Sequence, residues 1–318
     1  MFEYLAVWSA QKGRARPWAI LAMLAVVTAV VSAFLDNVTT VLLIAPVTLG
    51  IARYLGTPAY PFLFAEVFAS NIGGTATLIG DPPNIIIGSA AHLSFNDFVV
   101  NLAPVIIAVM AVQLVAAHLI WGRKMSASPE ARARIMALDT AALIVDPKLM
   151  KNSLFVIGGV VAAFVCAGWL GLQPGTIALL GAAILMLLHN CEHRREREKQ
   201  TLRVTETFNE VDWITIFFFV GLFVIVHGID AAGVLELAAR GLIQLTGEDA
   251  RATAVVILWG SAILSAIVDN IPFVAAMIPL IREMGPHLGG AEEVMPLWWA
   301  LSLGACLGGN GTLIGASA

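Results

Sequence analysis

Two Asp-Asn pairs, Asp36-Asn37 and Asp269-Asn270, stand in stretches otherwise built almost wholly of apolar residues. A carboxylate beside an amide, with the hydroxyls of Thr39 and Thr40 close behind the first pair, is a set of hard oxygen ligands. Such oxygens suit a hard cation, and an Asp that takes up a proton sets cation and proton in competition. A second polar island follows each pair. The first reads Asn71-Ile-Gly73-Gly74-Thr75-Ala-Thr77-Leu-Ile-Gly80-Asp81-Pro82-Pro83-Asn84, and the second Gly308-Gly309-Asn310-Gly311-Thr312-Leu-Ile-Gly315. Glycine tolerates irregular backbone, and in an apolar medium bare amides and carbonyls are acceptable only where they line a cavity. The glycine runs are therefore where helices are expected to unwind, with a half-helix N-terminus favouring anions and a C-terminus favouring cations. Pro82-Pro83 is expected to hold off the next helix until near Asn84.

The candidate ion- or substrate-binding residues are Asp36, Asn37, Thr39, Thr40, Asn71, Gly73, Gly74, Thr75, Thr77, Asp81, Asn84, Asp269, Asn270, Gly308, Gly309, Asn310 and Thr312. Sodium, if it is the coupling ion, is expected at Asp36, Asn37, Asp269 and Asn270, with a proton as the other choice. A bland reading competes, because glycines in membrane helices often mark close packing. Two matched runs, each preceded by an Asp-Asn pair, favour a site. Glu66 is a weaker candidate that a buried structural pair would explain, and Ser70 offers one more oxygen. His118, His189 and His227 lie at segment ends and read as interfacial. Cys166, Cys191 and Cys306 show no disulfide or zinc spacing and read as small core residues. The glycine run lacks the Gly-Lys-Ser/Thr ending of a phosphate loop.

These residues need elements to hold them, and composition says which. The chain has 318 residues, 59% hydrophobic and 13% charged. Globular chains run near 45–50% apolar and about 25% charged, so this is an integral membrane protein, in which intramembrane acids are costly and mark function. The net charge of −4 suggests no nucleic-acid partner. Apolar segments near 98–121, 153–170, 174–189 and 213–229 can cross a bilayer, the middle two as a hairpin turned at Gly171-Leu-Gln-Pro174-Gly175. Residues 234–246 read as an interfacial helix carrying Glu236 and Arg240. Segments of about 15 residues on either side of each Asp-Asn pair read as re-entrant hairpins with the pair at the tip.

Residues 122–152 hold six Lys/Arg and residues 190–212 hold five, so both loops are assigned to the cytoplasmic face of an inner membrane. The run Arg194-Arg-Glu-Arg-Glu-Lys199 reads as a solvated helix face. Ser32–Asn37 recurs at Ser265–Asn270 with an offset of 233, and Gly73–Gly80 recurs at Gly308–Gly315 with an offset of 235. The chain is thus a two-fold repeat. Basic flanks on the first hairpin (Lys12, Arg14, Arg16, Arg53) and mostly acidic ones on the second (Glu248, Asp249, Glu283, Glu292 and Glu293, with Arg251 and Arg282) imply that the repeats are inverted, as in many secondary transporters. The expected architecture is an all-α polytopic membrane protein with two inverted-topology repeats, re-entrant helical hairpins and broken transmembrane helices. Its parts are a first repeat at 1–121, a cytoplasmic linker at 122–152 and a second repeat at 153–318. Each repeat lacks a counterpart segment of the other, so a longer protein with further helices at both ends is expected.

With Ser32-Ala-Phe-Leu-Asp36-Asn37-Val-Thr39-Thr40, Asn71–Asn84, Asp269-Asn270-Ile-Pro272-Phe and Gly304–Gly315 in view, the chain resembles the ArsB/NhaD branch of the ion transporter superfamily. It is similar there to citrate-transporter-like proteins and, most of all, to the bacterial relatives of the pink-eyed-dilution P protein. The resemblance implies an elevator-type inverted-repeat transporter, often dimeric, with hairpin tips at Asp36/Asn37 and Asp269/Asn270 and helix breaks at Gly73–Thr77 and Gly308–Thr312. Related dicarboxylate symporters carry Ser-Asn-Thr at their tips. The Asp-Asn pairs here, and Pro272 where the first tip has Thr39, favour fixed negative charge and cation or proton coupling. Sodium/proton exchange is the leading expectation. Export of arsenite or transport of another small anion or carboxylate is the alternative, and an ion channel of the same fold is a third. An intramembrane aspartyl protease is disfavoured, because Gly80-Asp81 lacks the Gly-x-Gly-Asp pattern.

Overall fold

The computed structural model describes residues 2–139, 143–144, 146–191, 197–209, 211, 213–247 and 249–312. Arg194–Glu196, Glu248 and the Leu313–Gly315 end of the second glycine motif lie outside the described residues. Among the described residues every regular element is helical. The chain gives α1 (Phe2–Lys12), α2 (Pro17–Ser32), α3 (Asn37–Leu55), α4 (Tyr60–Thr75), α5 (Pro82–Ala91), α6 (Phe95–Ala117, prolonged by a π-turn at His118–Gly122) and α7 (Pro129–Met136). There follow α8 (Pro147–Val165), the single turn α9 (Ala167–Leu170), α10 (Pro174–Cys191), α11 (Arg197–Asn209) and α12 (Trp213–Ala231). The last four are α13 (Val234–Thr246), α14 (Ala250–Ser265), α15 (Asn270–Met284) and α16 (Ala291–Gly308). Asn37–Leu55, Phe95–Gly122 and Pro147–Val165 are long and apolar enough to cross a membrane. The protein is a polytopic α-helical membrane protein.

The helices cluster into two compact units. Residues 144–227 form one, in which α8 packs on α10 through a reversal that uses Gly171 in the left-handed region at φ 63°. That is the hairpin expected at 153–189. Residues 1–143 and 228–318 form the other, which holds every candidate site residue. Its strongest pairings are α2 with α4 and α14 with α16. Ile20, Leu21, Leu24 and Ala25 of α2 close on Phe62, Ala65 and Ala69 of α4, with Ile51 and Leu55 of α3 completing the cluster. The expected helix over 234–246 forms as α13, with Glu236 and Arg240 paired on one side and Ala239 and Ile243 buried on the other.

Local signals set the boundaries that matter. Asp36 caps α3 by accepting the Thr39 amide, and Asp269 caps α15 by accepting the Ile271 amide. A short acceptor side chain at this position satisfies a helix-terminal amide that has no intrahelical partner. The arms flanking the tips have 16 and 19 residues in the first half, and 16 and 15 in the second. At 19 residues, α3 exceeds the expected length and could cross the hydrocarbon unaided, at about 1.5 Å per residue.

Two expectations about the first helix break are corrected. Helix α4 does not unwind at Gly73-Gly74 but runs through both to Thr75, and the irregular stretch is Ala76–Asp81. The glycines are there because α2 crosses at backbone contact: a Cβ on Gly73 would lie 2.1 Å from the Ala29 carbonyl oxygen. Nor does the proline pair delay the next helix. Helix α5 starts at Pro82, where a missing amide hydrogen costs nothing because first-turn amides have no intrahelical acceptor.

Candidate ion and substrate site

The two halves of the larger unit are built alike where they carry the motifs. Ser32 Oγ donates to the Ser70 carbonyl at 2.7 Å, and its counterpart Ser265 Oγ donates to the Ala305 carbonyl at 2.7 Å. Thr77 Oγ1 donates to the Ala33 carbonyl at 2.5 Å, and Thr312 Oγ1 donates to the equivalent Ala266 carbonyl. Gly73 meets Ala29, and Gly308 meets Ala262, where a Cβ would come within 2.5 Å of the carbonyl oxygen. Each hairpin is thus pinned to its partner helix by a serine before the tip, a threonine at the break and a glycine that lets the backbones touch.

A chain of amides joins the halves. Asn37 Nδ2 donates to Asn71 Oδ1 at 2.9 Å, and Asn71 Nδ2 donates to Asn310 Oδ1 at 2.9 Å. Asn37 Oδ1 in turn accepts the Val38 amide at 2.9 Å. Asn84 makes a second bridge. Its Nδ2 donates to the carbonyls of Thr75 and Thr77 at 3.1 and 2.9 Å, which fixes the shape of the break. Its Oδ1 accepts Ser302 Oγ at 2.6 Å and lies 3.5 Å from Cys306 Sγ. Asn37, Asn71, Asn84 and Asn270 are all buried.

Asp81 sits between these bridges. It is fully buried, and neither carboxyl oxygen has a hydrogen-bond partner within bonding geometry. Cys306 and Asn270 are the polar groups facing it from the second half, and the carboxylates of Asp36 and Asp269 act on it through space. Both tips therefore converge on the acid of the first break. Asp36 spends Oδ2 on the Thr39 amide and hydroxyl, at 3.0 and 3.1 Å, which leaves Oδ1 uncommitted. Among the described residues no group of three or more His, Cys, Asp and Glu is close enough to hold a metal ion. Asp36 and Asp269 cap the helices that follow the two tips, and Asp81 precedes α5 at the first break, so the three are not gathered on one point. A cation here would meet one carboxylate at a time, helped by amide and backbone oxygens. That environment fits a monovalent ion better than a multiply charged one.

The other candidates divide into those left unpartnered and those that hold neighbouring elements together. Thr40 Oγ1 is buried and unpartnered near the first tip. Thr75 Oγ1 turns back to its own helix at the Asn71 carbonyl, 2.7 Å away, and Ser70 Oγ does the same at Val67. Gly73, Gly74 and Gly308 serve the packing, Gly309 is buried in the turn after α16, and Thr77 and Thr312 pin the breaks. Ser302 and Cys306 were not among the sequence candidates. The repeat held the signal for one of them: at an offset of 235, Cys306 is the counterpart of Asn71. Ser302 has only Val67 as its counterpart and gave none.

A family model described as citrate transporter matches residues 1–304. An uncharacterised transporter of Mycobacterium tuberculosis is 45% identical over 318 residues, covering 100% of this chain and 71% of the relative. An uncharacterised transporter of Synechocystis is 30% identical over 342 residues, covering 100% of this chain and 72% of the relative. The P protein of Mus musculus is 33% identical over 395 residues, with 99% of this chain and 46% of that longer protein covered.

Proposed function

This chain belongs to the citrate transporter family, and we propose that it is a secondary active transporter coupled to a monovalent cation or proton, with sodium/proton exchange as its reaction. The observation that carries this is Asp81: a fully buried carboxyl, without a hydrogen-bond partner, facing groups from both tips. Burying the Asp81 carboxyl near the half-buried acids of the two tips is costly unless a positive ion or a proton compensates it. Ion and proton then compete for the same oxygens, which is what exchange requires. In this reading Asp36 and Asp269 carry the ion, Asn37 and Asn270 orient it, and the amide chain through Asn71 and Asn310 makes occupancy of one half felt in the other. The matched pinning contacts support a two-fold repeat, and the opposite charge of its flanks supports inversion. The basic loops support an inner-membrane location with those loops in the cytoplasm. A homodimer is part of the same reading.

A second reading takes its support from the family's description, and has the cation accompany a small carboxylate. The acids around Asp81 then demand that cations bind before the anion, because an anion alone would meet uncompensated negative charge.

The test is flux in proteoliposomes of the full-length protein under imposed sodium, proton and citrate gradients, with Asp36→Asn and Asp269→Asn. Exchange predicts sodium-driven proton movement that either substitution reduces at least tenfold. Citrate uptake that requires sodium would select the second reading. Wild-type flux in both variants would sink the carboxylate mechanism, and conduction at channel rates would replace the carrier with a pore.

A further inference from the structure

A second buried acid lies five residues before Asn71 on α4, about 7.5 Å away along the helix. Glu66 is 1% exposed. Thr48 Oγ1 donates to its Oε1 at 2.5 Å, and its Oε2 has no partner. The helices packed on α4 are α2, α3, α6 and α16. Helix α2 carries no titratable residue. The others bring Arg53 and Tyr54 from α3, Asp97 from α6 with His118 just beyond it, and Glu292, Glu293 and Cys306 from α16. Tyr60 is the other titratable residue of α4. None of these acts on Glu66, whose surroundings reduce to burial and the Thr48 hydroxyl.

Among the described residues no counter-charge meets the group, and Oε2 is left unpartnered. A buried carboxylate without a compensating charge is costly, whereas a neutral acid needs none. Glu66 is also not isolated from the tip. Ser70 follows it one turn later on α4, then Asn71. On α3, Thr40 and Thr48 both belong to the buried face, two turns apart, and Thr40 Oγ1 is unpartnered. The α3–α4 interface therefore carries buried polar groups from the Asn37–Asn71 pair to the Thr48–Glu66 pair.

We propose that Glu66, held by Thr48, is a proton-binding site separate from the tip aspartates, which loads and releases its proton as the α3–α4 interface opens. The step is a single deprotonation. The O–H bond at the Glu66 carboxyl breaks, the proton leaves to water, and Thr48 Oγ1 continues to donate to Oε1. Only its place in a transport cycle rests on the transporter reading.

The test uses the full-length protein and Glu66→Gln, which keeps the shape and the acceptor for Thr48 but cannot hold the proton. Infrared difference spectra of wild type minus E66Q should show the carbonyl stretch of a protonated carboxylic acid at neutral pH. The band should disappear reversibly as pH rises through the range where melting shows both proteins folded. An absent band, or one that does not titrate while the protein stays folded, overturns the proposal and leaves Glu66 a structural hydrogen-bond acceptor. In proteoliposomes E66Q should retain transport but lose the wild-type pH dependence. An unchanged pH profile alongside measurable transport also overturns it. If the wild type moves no ion, the transporter reading fails on its own, and the infrared titration still decides Glu66.

Discussion

Gly73→Ala tests whether the glycine at the heart of the first motif serves contact between helices rather than unwinding. A methyl group there would stand 2.1 Å from the Ala29 carbonyl oxygen and 2.4 Å from the Ala29 Cα. Ordinary contact begins at 3.4 Å, so α2 and α4 must part by about 1.3 Å. The obstacle is backbone on both sides, and no rotamer change can relieve it. Overpacking of this kind costs about 1–3 kcal/mol. The separation also strains the bond from Ser32 to the Ser70 carbonyl and the Asn37–Asn71 pair, so the cost falls in the upper part of that range. Gly50→Ala is the control. It lies within α3 with open space around it, and there alanine should gain roughly 0.5–1 kcal/mol over glycine. Thermal unfolding in detergent, followed by tryptophan fluorescence, should place G73A several degrees below wild type and G50A at or above it. Gly308→Ala should repeat the loss, since its added carbon would lie 2.5 Å from the Ala262 carbonyl oxygen. If G73A unfolds at or above the wild-type temperature, the helices do not touch there, and the unwinding role returns.

Two other outcomes follow from the site. Asp81→Asn removes an acid that has no partner, so the variant should melt no lower than wild type and should lose its response to the coupling ion. Sodium that raises the melting temperature of D81N as much as that of wild type would remove Asp81 from the site. Ser302→Ala and Asn84→Ala each break the 2.6 Å bond that ties α16 to the start of α5. A double-mutant cycle on unfolding should return a coupling of about 1 kcal/mol, and additive losses would show that the bond contributes nothing.

Much of this was legible in the sequence, for reasons particular residues make plain. Asp36 and Asp269 stand out in the sequence as carboxylates in apolar stretches that the repeat pairs, and the structure makes each the cap of the helix after its tip. The reversal at Gly171 and the helix over 234–246 followed from turn chemistry and spacing. The course of α4 did not, because glycine has two uses. At Gly73 the need is for a missing Cβ, not for a flexible φ, and only the position of Ala29 separates the two. Pro82 was misleading in a similar way, since proline blocks the inside of a helix and suits its first turn. Ser302 and Cys306 were out of reach as site members because what makes them matter is Asn84, more than 200 positions away, and no local pattern encodes that meeting.

The repeat is most informative where it fails. The pinning contacts are duplicated: Ser32 with Ser265, Thr77 with Thr312, Gly73 with Gly308. The chemistry between the tips is not. Asn71 is matched by Cys306, Thr75 by Asn310, and Asp81 by Ala316. One half thus supplies the buried acid and the central amide, and the other supplies a thiol and the end of the amide chain. With the pinning contacts matched, the two halves differ at their breaks, and under the exchange reading those differences are what would make one side bind the ion more tightly. A site with one acid at each tip and a third, buried acid in one half alone need not bind equally when open to either face. Removing that charge, by Asp81→Ala, should shift the ion's relative affinity between the two faces. Equal affinities in both proteins, measured from each side of the membrane, would show that the asymmetry has no part in coupling.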